Sequence, residues 1–157
     1  MKIHANLFLT ACLLLSSALA SAQTKGSCSG TVYRSKNPLL QEQASTQSLQ
    51  VADESAMPDP VNWSCKKSIE QVLKQQAGTA AFQGQLMVKI DCNGKASNAK
   101  FLQSNNPTLA TQLIALINGS TGNKIAQQKG NAVSAFTIVQ LISIDGQLQY
   151  NPLFHNQ

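Results

Sequence analysis

The chain has 157 residues, 43% hydrophobic and 12% charged, with 12 Lys and Arg against 7 Asp and Glu for a net charge of +5. A chain of that length supports one domain with a modest core. The cations are scattered singly apart from Lys66-Lys67 and lie without interleaved aromatics, which argues against nucleic acid as a partner. After residue 22 no stretch is apolar for long enough to span a bilayer, so no transmembrane segment is expected in the mature chain.

Residues 1–22 read as a cleaved secretory signal. Lys2 gives the basic start, Leu7 to Leu15 the apolar run, and Ala20-Ser21-Ala22 the small residues of a peptidase site. The mature chain then begins at Gln23, retains about 135 residues, and reaches an oxidising compartment, the periplasm of a Gram-negative cell or its exterior. A competing reading takes Leu9-Thr10-Ala11-Cys12 as a lipoprotein cleavage site and makes the protein an outer-membrane lipoprotein acylated at Cys12. It leaves an unusual apolar tail.

Residues 23–60 are polar and turn-rich, with Gly26, Gly30, Pro38, Pro58 and Pro60 and no sustained period. Thr31-Val32-Tyr33 is a candidate short strand in what reads as a flexible or irregular N-terminal arm. Met57-Pro58-Asp59-Pro60 blocks helix and marks the start of a domain over 61–150. Ser64 offers a cap for a helix with Cys65, Ile69, Val72, Leu73 and Gln76 on one face, ended by Gly78. Leu86, Val88, Ile90 and Cys92 then alternate with Gln85, Met87, Lys89 and Asp91, the pattern of a half-buried strand. Asn93-Gly94 predicts a hairpin with both turn residues at positive φ, and Lys95 to Gln103 the return strand, bulged where Leu102 breaks the alternation.

Asn106 and Pro107 open a second helix, with Leu109, Leu113, Leu116 and Ile117 on one face and Asn118-Gly119 as its stop. The longest strand follows, Val133 to Ile144, its inward face read as Phe136, Ile138, Ile142 and Ile144. Asp145-Gly146 turns into a short last strand holding Leu148 and Tyr150, before a tail over 151–157. The expected fold is α+β: a small three-stranded antiparallel sheet of hairpin, helix and strand, with an N-terminal helix and the helices on one face.

That order, with its residues, resembles the C-terminal domain of the TonB family of periplasmic energy transducers. Gly84 to Asp91 is similar to the family's first long strand, Asn93 to Leu102 to its turn and second strand, and Pro107-x-Leu109 to its helix start. Gly130-Asn131-Ala132-Val133 and Ile144-Asp145-Gly146 are similar to the entry and exit of its last strand. The chain departs from the family at Asn123-Lys124-Ile125-Ala126, where Trp-x-Pro-Ala is common, and it shows no anchor helix or Pro-rich spacer. The resemblance therefore implies a stand-alone domain and its binding habit, not energy transduction.

The cysteines of the mature chain are Cys28, Cys65 and Cys92, so one thiol is left over after any bridge. Cys65 on the first helix and Cys92, facing like Val88 and Ile90, are the expected pair. They would close a loop of about 26 residues worth roughly 3–4 kcal/mol. Gly26-Ser27-Cys28-Ser29-Gly30 has the letters of a nucleophile elbow, but neither a strand before it nor a helix after it is predicted, and His155 sits near the chain end. The acids fall at turns or singly, no spacing fits a metal site, and no cofactor is expected. Trp63 offers either a partner anchor or, more commonly for a lone Trp, a core edge.

The function expected is a non-enzymatic binding module that engages a protein partner, or a second copy of itself, by strand addition. The return strand and the strand from Val133 are the sheet edges in the three-stranded order. The second, with Val133, Ala135, Thr137, Val139 and Leu141 alternating away from the presumed core, is the favoured interaction edge. The alternative is a small secreted enzyme or enzyme inhibitor, which would gather Asp91 or Asp145 with His155 in a pocket.

Overall fold

The computed structural model describes residue 28, residues 30–76 and residues 81–151. The signal segment with Cys12 and Gln23, the Gly78 helix stop, His155 and most of the tail lie outside the described residues. The element order is β1 (Val32–Arg34), α1 (Pro38–Glu42), α2 (Lys66–Gln75), β2 (Gln83–Ile90), β3 (Ala96–Ser104), α3 (Pro107–Ile117), β4 (Ala126–Gln128), β5 (Asn131–Ile144) and β6 (Gln147–Asn151).

β5 organises the sheet. It carries no charge and is rich in β-branched and small residues, a composition suited to burial on both faces. β2 pairs with it antiparallel from Gln83↔Ile142 to Ile90↔Ala135. β1 joins it in parallel at Ser134–Phe136, β6 antiparallel at Gln140–Ile144, and β4 antiparallel at Asn131–Val133. The strand order β1-β5-β2-β3, with β4 and β6 also on β5, makes a six-stranded mixed sheet curled into a half-barrel. The expected three-stranded antiparallel sheet is therefore wrong. The physical reason is length. β5 has 14 residues and β2 only 8, so β5 offers backbone that one neighbour cannot cover, and the short β1, β4 and β6 fill it.

The N-terminal segment is not a separate arm over its described part. Arg34 N–H donates to the Gln50 carbonyl and Ala52 N–H to the Arg34 carbonyl, both at 2.9 Å. Glu54 and Met57 form bridges with Gln127 and Lys124. Leu40, Thr46, Ala52, Ala56, Pro58 and Pro60 are fully buried. The boundary expected at 60–61 thus falls inside one packed unit, hidden in the sequence by Gln, Ser and Thr at the positions between these anchors.

The two faces of the sheet are filled differently. Leu86, Val88 and Ile90 of β2 and Val133, Ala135, Val139 and Leu141 of β5 join Ile69 and Leu73 of α2 and Leu109, Leu113 and Ile117 of α3 in the main core. On the opposite face Leu40 of α1 packs on Met87 and Ile138, with Leu39, Leu102 and Phe136 beside them. Helices therefore cover both faces, not one. The inward face read for β5 is also reversed: Phe136 and Ile138 serve the smaller cluster, Ile144 is exposed, and Val139 and Leu141 lie in the main core.

Local signals fared better. Asn106 caps α3, its Oδ1 accepting from Leu109 N–H at 3.0 Å, with Pro107 in the first turn. The register of β2 with β3 shifts between Gln85 and Leu86, opposite the Leu102 bulge. The 91–95 turn differs from expectation. Gly94 has φ +78° but Asn93 is not in the left-handed region, and Gly94 N–H donates to the Asp91 carbonyl. That is a three-residue hairpin loop, in which only the last residue needs glycine's freedom. The two-residue turns with both φ positive are Lys129-Gly130 and Asp145-Gly146.

Val139 pairs with Leu86 inside the sheet and is fully buried. Val139→Pro should therefore abolish folding outright, not loosen an outer edge, and Val139→Ala should cost about 1–3 kcal/mol of stability. Urea unfolding followed by Trp63 fluorescence measures both.

Candidate functional site

The strand edge favoured from the sequence is closed. β2 takes one side of β5, and β1 and β6 take parts of the other. Ala135, Val139 and Leu141 are fully buried, and Val133 and Thr137 are nearly so. These five residues support the core and present no edge.

The other expected edge is present. β3 ends the strand order and, among the described residues, has β2 as its one strand neighbour. Backbone direction follows from alternation. Ser143 N–H donates to the Phe82 carbonyl, so even-numbered β2 residues turn toward β5 and odd-numbered ones toward β3. Gln103 and Lys100, opposite Gln85 and Met87, therefore turn inward to the ladder. Phe101 and Ser104, opposite Leu86 and Gly84, turn their backbone groups outward. The start of this outer edge is occupied: Ala96 N–H donates to the Ser120 carbonyl, Gly119 N–H to the Ala96 carbonyl, and Ala99 N–H to the Asn118 side chain. Among the described residues the open stretch runs from Lys100 to Ser104. The Phe101 side chain fixes it from beneath, edge-on to Phe82 at 5.5 Å and over Gly84, where a Cβ would lie 2.7 Å from the ring.

β6 is shielded along its rim by α2. Glu70 on α2 pairs with Lys66 one helical turn earlier, and the nearby Leu148 backbone of β6 also favours its charged form. The Lys66 hydrogen bond, chiefly, holds the Glu70 carboxyl below its ordinary value of 4.5. The segment around Val51 covers β1 by backbone pairing with Arg34.

The cysteines pair differently from the expectation. Cys28 bonds Cys92 across a sequence separation of 64, and Cys65 is a free thiol. Cys92 lies in the hairpin turn, past the end of β2, so it never shares the core face of Val88 and Ile90. Cys65 precedes α2 beside Ser120, and burial pushes its thiol up while the Ser120 side chain opposes the shift. The disulfide also removes Cys28 as a nucleophile, so the elbow-like letters around it carry no chemistry. The sequence signal that was missed is the Asn-Gly turn immediately after Cys92, which carries the cysteine out of the strand.

Trp63 is a core residue, 3% exposed. Its indole N–H donates to Asn123 Oδ1 at 2.6 Å, and the Asn123 amide donates to the Gly94 carbonyl at 2.8 Å. Asp91 Oδ1 accepts from the N–H groups of Asn93 and Lys95, and Asp53 from Lys129 N–H, so these acids serve turns. Among the described residues no group of three His, Cys, Asp or Glu is placed to hold a metal ion.

Non-reducing peptide mapping should recover Cys28 linked to Cys92 and Cys65 unmodified, with alkylation of Cys65 slower than that of a free model thiol. Reduction should cost the fold up to about 4 kcal/mol, the loop-entropy value for a span of this length. Glu70 predicts an acid effect. A depressed carboxyl stabilises the fold above its unfolded pKa and loses that contribution as pH falls through the lower folded value. Stability to urea should fall in that window below pH 4.5, and Glu70→Gln should remove the step.

No family model, curated protein or solved structure matches this chain.

Proposed function

We propose that the protein is an exported, non-enzymatic binding module of the Gram-negative periplasm or cell envelope that takes an extended segment of a protein partner along the outer edge of β3. The observation that carries this reading is the outward-facing backbone of Phe101 and Ser104 at the end of the strand order. Unpaired N–H and C=O groups on a sheet edge are the template for strand addition. The edge is also restricted. Asn98 sits in a bulge at φ +52°, Leu102 in a second, and Lys100 projects between them. Such devices discourage indiscriminate pairing and leave room for a short segment in one register. The disulfide fits an oxidising compartment, and the resemblance of 84–102 to the TonB C-terminal domain family points toward the same mode of recognition.

A photo-crosslinking residue placed at Lys100 in the exported chain should give a discrete adduct with an envelope protein, whereas the same residue at Lys129, in the β4–β5 turn, should not. Equal adducts from both positions, or none from Lys100, would remove the β3 edge from consideration. An adduct of twice the chain mass would assign the edge to self-pairing.

A further inference from the structure

The face of the sheet beyond α1 carries a row of carboxamides. Gln103 on β3 lies opposite Gln85 on β2, Gln85 opposite Gln140 on β5, and Gln140 opposite Asn151 on β6. Directly opposed residues share a face, so the four amides stand side by side across four strands, at intervals of about 4.8 Å. Toward α1 the face is filled by Met87, Ile138 and Leu40. Past the row no described residue covers it. A cleft of about 320 Å³ lies there, with Gln83, Gln85, Gln103, Asn105 and Gln140 along it.

Two properties of this cleft are informative. First, among the described residues the side-chain amides of Gln85, Gln103 and Gln140 have no intramolecular hydrogen-bond partner, although Gln85 and Gln140 are half-buried. Each carboxamide therefore keeps two donors and an acceptor that a ligand could take over from water. Second, among the described residues none lining the cleft is charged or aromatic, in a protein whose net charge is +5. A site for an anion or a cation would carry a compensating charge.

We propose that this cleft binds a neutral oligosaccharide. Each sugar hydroxyl both donates and accepts, and a carboxamide is the uncharged side chain that answers both demands. The strand interval matches the advance of a pyranose unit, so successive amides would meet successive rings. The cleft volume falls at the lower end of that of ligand sites. The inference does not rest on the β3 edge: the amides stand on the face of the sheet, and the edge runs along its rim.

The test is a titration of the isotopically labelled, disulfide-intact chain with cellohexaose, maltohexaose and chitohexaose, following side-chain amide resonances by NMR. Saturable shifts at Gln85, Gln103 and Gln140 with at least one of these sugars are expected, weakened at least tenfold by Gln85→Ala and equally by Gln140→Ala. The anionic hexagalacturonate should bind no better than the neutral sugars. Trp63 fluorescence and intact Cys28–Cys92 report that each variant is folded. No saturable shift with any neutral sugar at 20 mM would overturn the proposal, as would binding unchanged in both variants (about 20 mM is the weak end of useful affinity, near 2 kcal/mol). Shifts that depend on protein concentration without sugar would assign the face to a second copy of the chain, and saturable shifts with a neutral Ser-Gly peptide in place of sugar would assign it to peptide; either result also overturns it.

Discussion

A strand of fourteen residues must find partners for its backbone along its whole length, and the architecture follows from how β5 does so. Most of its N–H and C=O groups turn toward neighbours, and leaving several unpaired inside a protein would cost more than the whole margin of stability. β2 is the long neighbour. The remainder is met by three short pieces: β1 from about a hundred residues earlier, β4 immediately before β5, and β6 immediately after it. Both faces of β5 are then covered, one by α2 and α3 and the other by α1. Pairing on both sides removes the backbone of this strand as an edge for strand addition and transfers that role to the periphery.

At the hairpin end of the molecule, polar contacts rather than apolar bulk set the geometry. Trp63 closes the main core and passes a hydrogen bond through Asn123 to the Gly94 carbonyl. The Asp91 carboxylate organises the same turn from within, and Cys92 ties it covalently to Cys28. The segment before α2, the segment after α3 and the hairpin loop thus meet at one point, where a loss of any one contact loosens the others. Ser64 illustrates the competition. It stands where a helix cap is expected, yet its hydroxyl accepts from Thr121 N–H and α2 begins without a side-chain cap.

What the sequence made legible was local. Asn106-Pro107 fixes the start of α3, Leu102 marks a bulge, Asp145-Gly146 turns, and the alternation of Leu86, Val88 and Ile90 identifies β2, because each rests on a few adjacent residues. Thr31-Val32-Tyr33 was visible as a short strand, close to β1, but at three residues apiece β1 and β4 are too short for any period to reveal their partners. Their pairing is decided by the vacancy beside β5, which lies about a hundred residues away for β1. The reading of β5 failed for a related reason. A strand buried on both faces has no polar side, so alternation cannot tell inward from outward. The β3 edge was visible as an edge, and the four-amide row was not, since its members are adjacent only through cross-strand register.

The covalent link between Cys28 and Cys92 also bears on how the chain reaches this arrangement. β1 is made early and lies in parallel beside the strand made near the end, Val32 against Ser134. Such pairing has a high contact order and is slow, because a long loop must close before any contact rewards it. Once the thiols of 28 and 92 are joined, the first strand is leashed to the hairpin whose other side already docks β5, and its search shrinks from the whole chain to a few residues of slack. Oxidation before closure therefore turns the slowest step of assembly into a local one, and a compartment that delays oxidation would lengthen the time for which β5 stands uncovered.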